Sequence, residues 1–377
     1  MKIKIKPIEN QVRINHDELR IISENRRSDR IGGYPISLAE EEPQYLLGMP
    51  VYQGLPFMGR LPMIIPIGQH RLAIKILKEI PTEKVMLKRL ISEYRAVVKA
   101  LLRMGIDFKI MNLMDGEKTV RRWLLKKGCE GVEFPKEKPT HWHVFPRDMF
   151  VYLEEIRTIL VHSRLFHIRK DRSSVCDIIH TELAEGGKIL FSGDHLITGC
   201  HPEAIHRRRG NKVLNELKEK GMRITLIPHA IFFALSREKR GKPISTYYES
   251  HIDRSASLLR GKDGDYYLVL DPYYRTGPLT APLSVQKSID LVRKICEKNG
   301  IEVRVPASLS VPYGTSAVQC DDEKVLVTGG EEEILSTFAD IVEGRNLYIT
   351  EISLSAYPVF AGAGLHCLIA ERPIPLI

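Results

Sequence analysis

A single cysteine near the C-terminal end of the sequence, Cys367, has the surroundings of a nucleophile. It lies in Gly362-Ala363-Gly364-Leu365-His366-Cys367-Leu368, where two glycines lead into a short apolar run. Because glycine has no side chain, the backbone at such a point can approach a ligand closely. The sequence predicts that Cys367 lies where a loop gives way to a strand and faces a pocket. A small buried core side chain is the alternative.

Acid and base residues that could serve this nucleophile occur in three motifs upstream. The motifs are Arg147-Asp148, Glu185-Gly186-Gly187 and His251-Ile252-Asp253. A thiol needs a neighbouring base or a cationic partner to become a thiolate. His251 and Asp253 are two residues apart, and on a strand this spacing directs both side chains to one face.

The composition restricts the classes of protein that need to be considered. The chain has 377 residues, of which 43% are hydrophobic and 27% charged, and its net charge is +9. These values are typical of a globular protein with a large core. Lys and Arg are spread along the sequence, so nucleic acid is not an expected partner. The six cysteines include no C-x-x-C pair, which argues against a zinc knuckle or a disulfide framework.

No segment of the sequence is apolar enough to predict a membrane span. Crossing a bilayer takes roughly 18 consecutive apolar residues, and the chain has no such run. The first residues, Met1-Lys2-Ile3-Lys4-Ile5-Lys6, alternate like a strand and lack the apolar core of a signal peptide. We therefore expect a cytoplasmic protein.

A unit of helix, glycine and strand recurs along the chain. The first helix begins after Thr82 and ends at Gly105, and later copies end at Gly221 and Gly300. Each glycine is followed by alternating residues typical of a strand. A fourth, degenerate copy runs from Glu332 to Gly344 and continues as a strand over residues 346–352. Repetition of this kind predicts a repeated α/β unit.

A second pattern lies between these units: a polar motif, a strand, a tight turn and another strand. Its polar positions are residues 148, 185, 251, 316 and 367. Five ββαβ units arranged around one axis would bring these distant residues together. We expect the ring to span residues 71–377, beginning with a strand at Arg71–Leu77, and residues 1–70 to form an N-terminal extension packed on it.

Taken in order, the motifs resemble those of the guanidino-group-modifying enzymes. This family includes the arginine and agmatine deiminases, the dimethylargininases and the amidinotransferases. The resemblance rests on Arg147-Asp148, Glu185-Gly186-Gly187, His251-Ile252-Asp253 and the C-terminal Gly-x-Gly-x-His-Cys, and it covers roughly residues 71–377. It implies the pentein fold, which is a five-bladed α/β propeller, and a small-molecule guanidino substrate. It implies no metal ion and no organic cofactor.

The resemblance also implies a role for each matching residue. Cys367 would attack the central carbon of a bound guanidinium, and His251 would protonate the departing amine and later activate water. Glu185 would orient the imidazole of His251. Asp148 and Asp253 would bind guanidinium N–H groups, and Arg147 belongs to the same substrate-binding motif. The chemistry agrees, because paired carboxylates suit a planar cation with several donors and a thiolate is a strong nucleophile.

The sequence departs from the family pattern at the residues that select a substrate. Lys188 stands where the family has an acidic residue after Glu-Gly-Gly, and Gly199–Glu203 contains no arginine. Recognition of a free α-carboxylate is therefore open.

Two other functions also remain open. The resemblance implies a hydrolase of the deiminase or dihydrolase type that acts on the guanidino group of arginine or of an arginine derivative and releases a ureido product. The alternative within the enzymes is an amidinotransferase with an amine as acceptor, and His366 is compatible with both. The alternative of another class is a non-catalytic RNA- or ribosome-binding protein on the same fold. A homo-oligomer is possible in each case.

Overall fold

The computed structural model describes residues 30–31, 34–35, 45–48, 63–106, 108–110, 147, 150–162, 177–184, 186–200, 211–235, 251–277, 281–320, 323–330, 332–342 and 346–371. The strands, in chain order, are β1 (Arg30–Ile31), β2 (Tyr34–Pro35), β3 (Tyr45–Leu47), β4 (Met63–Pro66), β5 (Phe108–Ile110), β6 (Phe150–Leu153), β7 (Thr158–His162), β8 (Asp177–Thr181), β9 (Ile189–Ser192), β10 (His195–Cys200), β11 (Arg223–Pro228), β12 (Phe232–Leu235), β13 (Ala256–Arg260), β14 (Tyr266–Leu270), β15 (Ile301–Arg304), β16 (Ala317–Cys320), β17 (Lys324–Val327), β18 (Leu347–Ile349) and β19 (Ile369–Glu371).

The α-helices are α1 (His70–Glu79), α2 (Glu83–Met104), α3 (Lys212–Glu219), α4 (Val285–Glu297), α5 (Glu332–Ile341) and α6 (Leu365–Leu368). Among the described residues, no helix combines the length and the apolar character that crossing a bilayer requires.

Five small sheets of three strands share one topology. In each sheet the first strand pairs antiparallel with the second, and the second pairs parallel with the third. We number them as units, each written from its first strand to its third. The units are unit 1 (β6-β7-β8), unit 2 (β9-β10-β11), unit 3 (β13-β14-β15), unit 4 (β16-β17-β18) and unit 5 (β19-β3-β5). The prediction of an α/β propeller built from five repeated units is confirmed.

The first strand of each unit lies on the inside of the ring and contacts its neighbours. Strand β13 contacts both β9 and β16, β19 contacts β6, and the short helix α6 contacts β16. The polar motifs immediately precede these inner strands. This position is what allows residues far apart in sequence to meet.

Local signals account for the repeated helices. Thr82 caps α2 by accepting a hydrogen bond from the Val85 backbone N–H, and Asn211 and Ser284 cap α3 and α4 in the same way. Gly105, Gly221 and Gly300 follow the helices with φ angles of 67°, 108° and 70°. Only glycine adopts this left-handed region readily, so it ends each helix and starts the next strand. The predicted helix–glycine–strand repeat is confirmed at these three places. In the fourth copy α5 and β18 are the helix and the strand, and Gly344 lies outside the described residues.

The strand predicted at Arg71–Leu77 is wrong, because these residues belong to helix α1. The alternation of Leu72, Ile74 and Ile76 suggested a strand. The buried side chains are instead Ala73, Ile76 and Ile80, whereas Ile74 is exposed. Spacings of three and four residues place the buried side chains on one side of a helix.

Unit 5 joins the two ends of the described chain. Its inner strand β19 follows Cys367, and its middle strand β3 comes from the segment predicted to be an N-terminal extension. The Gly48 backbone N–H also donates to the Leu368 carbonyl at 2.7 Å. The proposed division of the chain at residue 70 stays a prediction, and part of the extension lies within the ring.

Candidate active site

Three of the predicted site residues converge at one end of the inner strands. The side chains of His251, Asp253 and Cys367 present a ring nitrogen, a carboxylate oxygen and a sulfur that all lie within 4.8 Å of one another. The Cys367 Sγ lies 3.2 Å from the Asp253 Oδ2, and the His251 Nδ1 lies 4.0 Å from the Asp253 Oδ1. All three residues are buried. A nucleophile, a titratable imidazole and a carboxylate therefore share one small site.

His251 and Asp253 do not lie on a strand, as the spacing had suggested. His251 precedes a 3-10 turn, Ile252–Arg254, that contains Asp253. The pairing of β13 with β14 begins only at Ala256, so the residues before it have no strand partner and form a turn. The buried Ile252 anchors the turn in the core of unit 3.

Cys367 lies in a helical turn, so the predicted transition from loop to strand is corrected as well. It belongs to α6, and its backbone N–H donates to the Gly364 carbonyl at 3.2 Å. Strand β19 starts two residues later. A Cβ on Gly364 would lie 2.5 Å from the Ser316 Oγ. The glycine therefore allows the loop of unit 5 to pack directly against unit 4.

Close packing explains why the second motif contains two adjacent glycines, Gly186 and Gly187. A Cβ on Gly186 would lie 2.2 Å from the Arg147 Cγ, and one on Gly187 would lie 2.2 Å from the His251 Nδ1. Real Cβ atoms do not approach other atoms this closely. Both glycines are therefore needed to admit the side chains of Arg147 and His251.

Arg147 lies close to the site, and two of its predicted partners fall outside the described residues. Its guanidinium carbon lies 5.2 Å from the centre of the Phe191 ring, and its charge acts on the imidazole of His366. Asp148 and Glu185 are not among the described residues, so their assigned roles stay predictions. Their chain neighbours Arg147 and Gly186 do lie at the site.

His366 is a site residue that the sequence reading did not assign. Its Nδ1 lies 3.3 Å from the Asp253 Oδ2, the same oxygen that the Cys367 thiol contacts. Adjacent side chains on a strand point to opposite faces of the sheet. A strand at this segment would therefore place the side chains of His366 and Cys367 on opposite faces. In a helix, adjacent side chains are about 100° apart, and both reach Asp253. In the sequence, the available indication of a role for His366 was that it directly precedes Cys367.

Burial and charge act in opposite directions on Asp253. Burial alone raises the pKa of this carboxyl group, but the hydrogen bond from His366 and the charges of His251 and Arg254 outweigh it and lower the pKa below its ordinary value. Asp253 is therefore an ionised carboxylate at neutral pH.

His366 remains neutral in this environment. Burial, followed by the charge of Arg147, lowers the pKa of His366 to about 4 in spite of the opposing effect of Asp253. At neutral pH the ring carries one N–H. Because the Asp253 carboxylate can only accept, this proton lies on the Nδ1 that faces it.

Tyr313 lies beside the site in a strained backbone conformation. Its φ angle is 58°, which is uncommon for a residue with a side chain. Burial, with smaller contributions from Cys367 and Asp253, raises the pKa of the phenol. Tyr313 therefore stays protonated, and its ring lies 6.0 Å from the guanidinium carbon of Arg254.

The donor atoms of His251, Asp253 and Cys367 are close enough to hold a metal ion. A thiol, an imidazole and a carboxylate at this spacing equally suit nucleophilic chemistry without a metal. We do not assign them as metal ligands. The expectation that the protein needs no metal remains an expectation.

Comparisons with known proteins gave structural similarities at low sequence identity. No family model matches the sequence, and no curated protein matches it. An amidinotransferase of the saxitoxin biosynthetic pathway from Microseira wollei is 11% identical, with a TM-score of 0.43, over 89% of this chain and 96% of that chain. A DDAH from Pseudomonas aeruginosa, in a complex with citrulline, is 12% identical, with a TM-score of 0.35, over 60% of this chain and 75% of that chain.

The N-terminal domain of a cyanobacterial arginine dihydrolase is also similar. It is 12% identical, with a TM-score of 0.37, over 70% of this chain and 87% of that chain. These proteins come from the group of enzymes that the sequence motifs resemble. At such identities and TM-scores they carry no argument about substrate or reaction, which have to be argued from the site itself.

Proposed function

We propose that this protein is an enzyme that acts on the guanidino group of arginine or of an arginine derivative through a covalent adduct on Cys367. The observation that carries the proposal is the convergence of the Cys367 thiol, the His251 imidazole and the Asp253 carboxylate within 4.8 Å. A binding protein has no chemical need for such a set.

The state of Asp253 supports a cationic substrate. The residue is buried and ionised, and its Oδ1 accepts no hydrogen bond from the residues that the structure describes. A buried carboxylate oxygen without a donor is costly unless a ligand supplies one. A guanidinium offers both the N–H donor and the positive charge.

The reaction proceeds in two halves. The Cys367 thiolate attacks the guanidinium carbon, and the resulting tetrahedral adduct collapses as one C–N bond breaks and the amine leaves with a proton from His251. The product of this half is an S-linked thiouronium on Cys367. Water, deprotonated by His251, attacks its carbon. The C–S bond then breaks as the new hydroxyl becomes a carbonyl and loses its proton to solvent. This step releases a ureido product, regenerates the thiolate and leaves His251 protonated for the next turnover.

The acceptor in the second half decides between two enzyme classes. With water the enzyme is a hydrolase of the deiminase or dihydrolase type, and this is our proposal. With an amine the same thiouronium would pass its amidino group on, as in an amidinotransferase. Under either reading Glu185 would orient His251, and Asp148 would bind a second guanidinium N–H.

The test is intact mass spectrometry during turnover with arginine, agmatine, methylated and acylated arginines, and guanidino acids. We expect an adduct mass and a ureido product with wild type, and neither with Cys367→Ser. Cys320→Ser is the matched control, because Cys320 is a fully buried core residue, and this variant should retain activity once it folds. Product that forms only when an amine is added would identify an amidinotransferase.

The proposal would be wrong if Cys367→Ser kept its turnover. It would also be wrong if no compound reacted and 2-chloroacetamidine left Cys367 unmodified. That outcome would favour the RNA-binding alternative, for which retention of nucleic acid in low salt and its loss in high salt is the signature.

A further inference from the structure

We propose that His366 is a positioning residue that holds the Asp253 carboxylate in place for cation binding by donating its Nδ1–H to Oδ2. This inference rests on the proposed function, because it assigns how the substrate-binding carboxylate of that site is held. His366 lies in the C-terminal motif, but the resemblance assigned it no role.

The imidazole and the backbone of His366 are both anchored, and their partners belong to different units of the propeller. The Nδ1 lies 3.3 Å from the Asp253 Oδ2 in the turn before unit 3, and the backbone N–H donates to the Ser316 Oγ of unit 4 at 3.3 Å. The side chain is buried. A buried residue whose backbone and Nδ1 are both fixed in this way can set the orientation of the carboxylate that it contacts.

The two oxygens of Asp253 have different surroundings. Oδ2 accepts from two donors, the His366 Nδ1–H and the Cys367 thiol at 3.2 Å. Oδ1 accepts from none of the described residues. The donors on Oδ2 therefore leave Oδ1, which lies 4.0 Å from the His251 Nδ1, to accept from a bound cation.

The importance of His366 increases when Cys367 reacts. The thiol loses its proton when the thiolate forms, so it no longer donates to Asp253. Of the two hydrogen bonds to Oδ2 in the described part of the chain, only that from His366 then remains. A hydrogen bond to a charged group contributes more than one between neutral groups. His366 thus keeps the carboxylate ionised and oriented through the covalent step.

The groups that face Asp253 determine how its pKa changes when His366 is replaced. His251 and Arg254 lie on its own turn, His366 and Cys367 on α6, and Tyr313 on the loop before unit 4. Loss of the His366 donor removes a stabilising contact from the charged form of Asp253. Its pKa must then rise, because the charged form of the carboxyl group is less well stabilised.

The experiment compares alkylation of Cys367 by 2-chloroacetamidine, a cation, with alkylation by iodoacetamide, which is neutral. Both reagents need the thiolate, so the ratio of their rates cancels the thiolate fraction and reports recognition of the cation by Asp253. We expect His366→Phe to lower this ratio roughly ten-fold near neutral pH, because the carboxylate loses the donor that holds its orientation.

Two further variants keep the test decisive. His366→Asn retains an N–H donor near the position of Nδ1 and should restore most of the wild-type ratio. His195→Phe is the matched control, because His195 is equally buried but pairs with the Thr225 Oγ1 at 3.0 Å, away from the site. It should leave the ratio unchanged. Peptide mapping confirms that Cys367 is the residue that reacts.

The outcomes separate this inference from the proposed function. If wild type turns over a guanidino compound but His366→Phe keeps the wild-type ratio, the role of His366 is wrong and the function stands. If no guanidino compound is turned over but the ratio still depends on His366, the function is wrong and the positioning role stands. Equal ratios in His366→Phe and His366→Asn, both below wild type, would also overturn the role of the N–H donor.

Discussion

At the scale of single residues, glycine determines how closely the parts of the site can approach. Gly187 lies directly against the His251 imidazole, and a Cβ there would fall 2.2 Å from the Nδ1. Gly221 also precedes a strand, but a Cβ on it would meet no atom within 4 Å. The two glycines are thus present for different reasons. Gly187 is required by close packing and Gly221 by its φ angle of 108°.

We expect Gly187→Ala to lower kcat/KM by about a hundred-fold, because the added methyl group displaces His251 from its position near Cys367. The matched Gly221→Ala should instead reduce the free energy of unfolding by about 1–2 kcal/mol, since alanine is strained at that φ, and should leave kcat/KM nearly unchanged. Steady-state kinetics and urea denaturation of both variants provide the measurement. Similar kinetic losses in the two would contradict the steric role of Gly187.

At the scale of elements, helix α2 holds the segment that leads to the nucleophile. The Glu93 carboxylate is fully buried and accepts backbone N–H bonds from Ser355, Ala356 and Tyr357 at 2.8–3.1 Å. Tyr357 is the first residue of the π-helical segment Tyr357–Ala361, and Ser355 and Ala356 directly precede it. Gly362 caps the segment just before α6. A carboxylate here satisfies donors that the helix itself cannot satisfy. Glu93 thereby couples α2 to the loop of Cys367.

Glu93→Gln should reduce the free energy of unfolding by about 1–3 kcal/mol, because the amide nitrogen cannot accept the N–H bonds that the lost oxygen accepted. The matched control is Glu351→Gln. Glu351 forms an exposed ion pair with Lys99 at 2.9 Å, and such pairs contribute little. Urea denaturation and deuterium exchange at residues 355–357 test the difference. Unchanged exchange at these amides in Glu93→Gln would refute the proposed coupling.

At the scale of the whole molecule, the ring is closed by strands from distant parts of the chain. Ile369 of β19 pairs with Leu47 of β3, and β3 pairs in parallel with β5. Leu47 is fully buried in a core cluster that also contains Leu365 and Leu368. The strand after Cys367 is thus held in place by the N-terminal part of the protein.

We expect Leu47→Ala to cost about 2–5 kcal/mol of stability through the cavity it creates, and to accelerate deuterium exchange in β19 and α6. Leu217→Ala is the control, because Leu217 is fully buried in the core cluster of units 1 and 2. It should cost a similar free energy and accelerate exchange in α3 and β11 instead. Equal acceleration of deuterium exchange in β19 by both variants would contradict this prediction. It would mean that the whole propeller opens, and not the pairing of β19 with β3 alone.

The sequence alone determined the features that depend on neighbours in the chain. Caps such as Thr82 and the glycines that end helices act within one turn, so the repeated helix–glycine–strand unit could be predicted. The order of the motifs also indicated that Cys367, His251 and Asp253 would meet. The same local reasoning was wrong for residues 71–77. A short run of alternating apolar residues is compatible with a helix and with a strand, and only the burial of its side chains distinguishes the two.

Only the tertiary structure decided how the site is assembled. The helical turn at α6 brings His366 and Cys367 to the same oxygen of Asp253, over 113 and 114 residues of sequence. The middle strand of unit 5 comes from residues 45–47, where the sequence carries no clear signal of a strand. Both features arise from packing between units, and contacts between distant residues leave no pattern in the local sequence. The physical reason is that a short segment adopts the conformation its partners allow, so its structure depends on what packs against it.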